Sequence, residues 1–121
     1  MADFKSFFPG NIIYSFGLVY EGISEGSQRT RIARAKLARL MLNDILNGIR
    51  GLSATWANEG STPDGADAIV EDLESAVNRL RPFFVAIEEE TPPPIERGEA
   101  QESCRTAKEK AEELRDIESR R

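Results

Sequence analysis

The apolar residues in the middle of this sequence recur every three or four positions, and this spacing constrains the fold more than any other feature. Within residues 28–57, one face of a helix would collect Met41, Leu42, Ile45, Leu46, Ile49, Leu52 and Trp56. Within residues 63–90, a second face would collect Ile69, Val70, Leu73, Val77, Leu80, Phe84 and Ile87. Such stripes are typical of helices that bury one side in a core. The sequence therefore predicts an all-α fold, a small bundle built on two long antiparallel helices.

Proline and glycine suggest where these two helices end. The stretch NEGSTPDG at residues 58–65 predicts a loop, with Thr62 as the N-cap and Pro63 as the first residue of the next helix. Pro82 lies inside the second stripe, so that helix is expected to kink or to restart after Arg81.

Three consecutive prolines at 92–94 predict a stiff spacer and divide the chain into a core domain, residues 1–91, and a C-terminal part, residues 92–121. That part predicts a charged helix whose only apolar stripe is thin: Ala100, Cys104, Ala107, Ala111 and Leu114. Alanine buries little area, which leaves three alternatives open for this helix. It could pack on the bundle, pair at close distance with another copy, or project into solvent.

The first 26 residues contain four of the six phenylalanines and both tyrosines. Pro9, Gly10 and Asn11 predict a turn, and the apolar run 12–20 is ambiguous between a strand and a short helix, of which the helix is favoured. The run is about half as long as a membrane span requires, and no cleavage signature follows it, so we expect a soluble, uncleaved chain. Ser24 or Ser27 is expected to cap the next helix.

Five phenylalanines are expected to lie partly unburied on so small a bundle: Phe4, Phe7, Phe8, Phe83 and Phe84. Association of identical chains, commonly as a two-fold dimer, would cover them.

The residue inventory offers little catalytic or metal-binding chemistry. Histidine is absent, and Cys104 is the only cysteine, expected as a half-buried helix residue. No phosphate-binding glycine loop or nucleophile motif is present. Acidic residues of the third segment (Asp64, Asp67, Glu71 and Glu74) suggest a magnesium site, but the second acidic motif that such a site needs is missing. We therefore expect no catalytic residue, no cofactor and no metal, and a reducing, cytoplasmic setting.

Charge is segregated along the chain, whose net charge is -5. Residues 29–58 contain six cations and one acid, a balance of +5, whereas residues 59–90 contain nine acids and two cations, a balance of -7. One reading is that complementary charges simply support the pairing of helix two with helix three.

The positions of the cations around helix two suggest a second interpretation of this charge segregation. Arg31 and Arg34 continue the sector that is apolar from Met41 onward, while Arg29, Lys36 and Arg39 are expected on the opposite side. A core stripe that turns into arginines indicates a helix end that protrudes from the bundle or faces another molecule. The guanidinium group suits carboxylate or phosphate partners.

The leading hypothesis is a small protein-binding module, such as an adaptor, inhibitor or assembly factor, that recognises an acidic protein surface. Its expected contacts are the basic helix end (Arg29, Arg31, Arg34, Lys36 and Arg39) and the aromatic arm (Phe4, Phe7 and Phe8). One alternative is a structural subunit of a larger assembly, such as a virion or a secretion apparatus. Another is a nucleic-acid-binding protein that uses residues 29–39, which the acidic balance of the whole chain disfavours.

Overall fold

The structure, a computed structural model, describes residues 4–21, 23 and 28–120, with side chains from residue 12 in the first helix and residue 29 in the second. This part of the chain forms four helices: α1 (Phe4–Glu21), α2 (Gln28–Glu59), α3 (Ala66–Glu88) and α4 (Arg97–Ser119). The predicted all-α fold is confirmed. The predicted N-caps Ser24 and Ser27 lie outside the described residues.

The four helices form a bundle in which each helix packs against two others. Among the described residues, α1 contacts α2 and α4, and α3 likewise contacts α2 and α4. Ion pairs give the directions, because Arg39 early in α2 meets Glu88 at the end of α3, and Lys110 late in α4 meets Asp72 early in α3. Both pairs of helices are therefore antiparallel, as short connections favour.

The core lies along the bundle axis, and every fully buried side chain of the described residues is apolar. The two predicted stripes line this core, with only Met41 and Ile87 at its partly buried margin. The alanine stripe of α4 is buried in the same core, from Ala100 to Leu114. Of the three alternatives for α4, packing on the bundle is the one observed.

The turn predicted at residues 9–11 is wrong, because α1 runs without interruption through them. Pro9 is the sixth residue of α1, so its missing N–H removes a single backbone hydrogen bond, that to the carbonyl of Lys5. Burial of Ile12, Phe16 and Val19, which share one side of the helix, offsets that loss.

The predicted start of α3 at Thr62 and Pro63 is also wrong, because the helix begins at Ala66 with Gly65 as its N-cap. The N–H of Ala66 donates to the carbonyl of Pro63 at 3.1 Å, and Gly65 has φ 82° and ψ -11°. These angles are those of the third residue of a type II turn, which favours glycine. Turn formation by residues 63–66 therefore replaces the predicted cap.

The expectation that Phe83 and Phe84 are left unburied is wrong. Both side chains lie in the core, 4% and 0% exposed, with their rings edge-to-face at a centroid separation of 5.3 Å. They are buried because α3 continues through Pro82, which is exposed, and so keeps the helical register of its apolar stripe. These two rings need no second chain to cover them.

The end of α3 contains a backbone conformation that L-residues rarely adopt. Glu90 has φ 57°, and the N–H groups of Glu90 and Thr91 donate to the carbonyls of Ile87 and Ala86. This is the Schellman arrangement, in which the left-handed position usually belongs to glycine.

Replacing Glu90 by glycine is expected to raise the free energy of unfolding by about 0.5–1 kcal/mol, because glycine has no steric penalty in the left-handed region. Urea unfolding followed by circular dichroism measures the change. Glu89→Gly is the matched control, since it removes the same charge from a residue with φ -88°. It should give no gain, and equal gains from both variants would contradict this interpretation.

Candidate partner-binding site

A cleft of about 470 Å³ opens at the end of the bundle where α2 begins and α3 connects to α4. Its floor is apolar and includes the buried side chains of Ile23, Phe83 and Ala86. Ile32 and Ile87 widen the floor and are partly buried. The exposed side chains that line the cleft are Arg31, Glu90, Thr91, Pro93, Glu96 and Arg97. The volume lies in the range of cavities that bind small ligands or single large side chains.

Arg31 lines this cleft. It is also one of the cations that the sequence predicts to lie on the same side of α2 as the core residues. The side chains at 35, 38 and 42, which follow Arg31 at spacings of four, three and four, are fully buried. Within the described part of the chain, no hydrogen bond or ion pair involves Arg31. Its guanidinium group therefore lies beside the apolar floor of the cleft without an ion-pair partner among those residues.

The other four cations of the basic stretch diverge from Arg31 and from one another. Arg34 lines a groove between α1 and α2 together with Leu18 and Leu37, and it interacts within the chain. Arg29 and Lys36 are exposed on the outer side of α2. The structure thus does not bring the five predicted cations together into one patch.

Arg39 does not lie on the side of α2 opposite the core, as the sequence suggested, but at the boundary with α3. Its Nε and Nη2 donate to Oε2 and Oε1 of Glu88 at 2.6 and 3.1 Å. This hydrogen-bonded pairing raises the pKa of Arg39. The prediction for Arg39 was wrong because this residue lies at the edge of the core-facing side of α2. A side chain at that edge contacts the neighbouring helix, here α3. At this pair, complementary charge does join α2 to α3.

Two exposed leucines on α2, Leu37 and Leu40, were missed by the sequence analysis. Their exposed fractions are 59% and 45%. The signal was present in the sequence, because both residues fall on the side of the helix opposite Leu42, among the outward cations. The side chains of Phe4, Phe7 and Phe8, the predicted aromatic arm, lie outside the described residues.

The acidic residues and the cysteine add no further site to the described structure. No group of three or more histidine, cysteine, aspartate or glutamate side chains in the described ranges could hold a metal ion. Cys104 is buried. No helix among the described residues is both long enough and apolar enough to cross a membrane.

Comparison with known proteins gives no relative from which a function could be transferred. No family model, curated protein or solved structure matches this chain.

Proposed function

We propose that this chain is a protein-binding module whose cleft at the bundle end receives an apolar side chain of a partner while Arg31 pairs with a nearby carboxylate of that partner. Such a module would serve as an adaptor, an inhibitor or an assembly factor. The observation that supports the proposal is the position of Arg31, a cation without a partner among the described residues, beside an apolar floor.

Glu90 and Glu96 balance the charges of Arg31 and Arg97 around the cleft, so the partner is expected to present one carboxylate to Arg31 beside an apolar side chain, not a strongly acidic surface. A guanidinium group forms two parallel hydrogen bonds with a carboxylate, and this pairing strengthens where apolar surroundings exclude water. An apolar side chain seated on Phe83 and Ile87 would provide that exclusion. Arginine beside an apolar pocket is also a common composition of the energetic centre of an interface.

A protein partner is favoured over nucleic acid by how the cations are distributed. Binding to a phosphate backbone requires several cations along one continuous surface. Here Arg39 is paired with Glu88, Arg31 lines the cleft, and Lys36 lies beside exposed leucines on another side of α2. A single cleft with an apolar floor, lined by Arg31 and Arg97, matches a protein carboxylate better than a series of phosphates.

Affinity capture from the cells of origin, with mass-spectrometric identification, tests this proposal. Arg31→Glu is expected to reduce capture of the specific partner at least about tenfold, since it replaces an attraction by a repulsion. Arg31→Lys should reduce capture less, because lysine retains the charge but not the two parallel hydrogen bonds. All variants should keep the helical circular-dichroism signal of the original chain.

Lys108→Glu is the matched control, because it makes the same change of charge at an exposed position of α4. It should leave capture unchanged. Undiminished capture by Arg31→Glu would reject the cleft as the binding site. Retention of nucleic acid that falls steeply with salt would instead support the nucleic-acid alternative.

A further inference from the structure

The exposed large apolar side chains of the described residues are confined to two of the four helices. They are Tyr14 and Tyr20 on α1 and Leu37 and Leu40 on α2. The α3 and α4 helices expose no comparable side chain. Tyr20 interacts with Arg105 of α4. We call the side of the bundle that carries Leu37 and Leu40, with the adjoining edge of α1, the α1–α2 face, and exposed apolar surface of this kind is typical of an interaction site.

On α2 this face follows a regular column of exposed residues. Ala33, Leu37, Leu40 and Asp44 are separated by four, three and four positions, and all are exposed. This is the spacing of a coiled-coil seam, in which one helix packs along another. The buried column on the opposite side of the same helix has the same spacing. Among the described residues, no other helix covers the exposed column.

A groove between α1 and α2 extends the column sideways. It has a volume of about 570 Å³ and is lined by Leu18, Tyr20, Leu37 and Ala38 together with Glu21, Arg34 and, from α4, Gln101. The column from Ala33 to Asp44 spans about 17 Å of α2, and the groove adds the apolar side chains of Leu18 and Ala38 beside it.

Two charges, Asp44 in the column and Lys36 beside it, are self-complementary. Lys36 and Asp44 are both exposed, lie four residues on either side of Leu40, and make no ion pair within the described ranges. Asp44 is also the single acid of residues 29–58. If two α2 helices cross antiparallel at Leu40, Lys36 of each chain lies at the level of Asp44 of the other. In a parallel pair, Lys36 would instead meet a second Lys36.

We propose that a second copy of this chain covers the α1–α2 face, in a two-fold pair of antiparallel α2 helices centred on Leu40. Burial of Leu37 and Leu40 provides the attraction, and the two Lys36–Asp44 pairs select the antiparallel register. A different protein would have to supply both charges in this order, whereas a second copy supplies them by symmetry. The cleft that contains Arg31 is not part of this interface.

Sedimentation velocity of the full chain over a range of concentrations, at low salt, tests the proposal. We expect a monomer–dimer equilibrium. Leu40→Glu should give a monomer, and Lys36→Asp and Asp44→Lys should each weaken the dimer about tenfold or more, because each single variant places like charges opposite one another twice. The double variant Lys36→Asp/Asp44→Lys should restore the original dissociation constant to within a few-fold, since it only exchanges the two charges.

Two control variants show whether dimerisation depends on the α1–α2 face alone. Lys108→Asp, on α4, and Arg31→Glu, at the cleft, should both leave the dimer intact, and circular dichroism should confirm that every variant is folded. A chain that stays monomeric up to about millimolar concentration would overturn the proposal, as would single variants that dimerise normally. Failure of the double variant to restore the dimer would overturn the antiparallel register, and larger assemblies would overturn the closed pair.

Discussion

Replacing Trp56 by alanine is expected to destabilise the bundle by about 3–5 kcal/mol, because it removes the largest side chain of the core. Trp56 is completely buried near the end of α2. Its Nε1–H donates to Oε2 of Glu118 on α4 at a distance of 3.0 Å. The residue therefore fills the core at one end of the bundle and also links two helices that do not otherwise pack against each other.

Two further variants separate packing from hydrogen bonding at this position. Trp56→Phe keeps most of the apolar volume, so the larger part of the stability should remain. Glu118→Gln keeps an oxygen acceptor for Nε1–H and should cost about 1 kcal/mol or less. Urea unfolding followed by far-ultraviolet circular dichroism measures all three variants. A loss below about 1 kcal/mol in Trp56→Ala would show that the end of the bundle is not packed as described.

The helices and their buried sides were predictable because the information is local. Periodicity over residues 41–56 and 69–87 identifies the core side of α2 and α3 from the sequence alone. The same holds for the alanine stripe of α4, whose five residues are all buried. That α4 packs on its own bundle was not predictable, because a thin stripe fits a neighbour of any origin equally well.

Positions that depend on turn chemistry or on a neighbouring helix were predicted less well. The start of α3 depends on a type II turn that contains Gly65. This turn and the predicted cap at Thr62 need the same few residues, so only one of the two can form. The side chain of Arg39 points toward α3 because Glu88, at the end of α3, lies within ion-pair distance of it. Periodicity within one helix contains no information about either.

The candidate site was likewise predictable only in part. The sequence places Arg31 in line with the core, which is a property of α2 alone. The cleft beside Arg31 is formed in part by Glu90, Pro93 and Glu96, and only the path of the α3–α4 connection brings these residues to it. Single-helix reasoning can therefore indicate an unusual cation but not the cavity that gives it a role.

Cys104 is expected to be nearly inert toward thiol reagents while the chain is folded. The side chain is 1% exposed, and burial raises the pKa of its thiol from 9.0 to about 12. At a given pH below 9, the thiolate fraction is then about a thousandfold lower than in the unfolded chain. Labelling with a thiol reagent should therefore be at least about a thousandfold slower in buffer than in urea. Similar rates in the two solutions would contradict the burial of Cys104.

The same shift makes stability depend on alkaline pH. Because the pKa is higher in the folded chain, the folded state retains its proton between pH 9 and about 12 while the unfolded state loses it. The contribution is fully present below pH 9 and is lost as the pH rises toward 12, by up to about 1.4 kcal/mol per pH unit. Cys104→Ala removes the titrating group, so its free energy of unfolding should fall less steeply in this window. Parallel curves for the two proteins would show that the thiol does not titrate differently on folding.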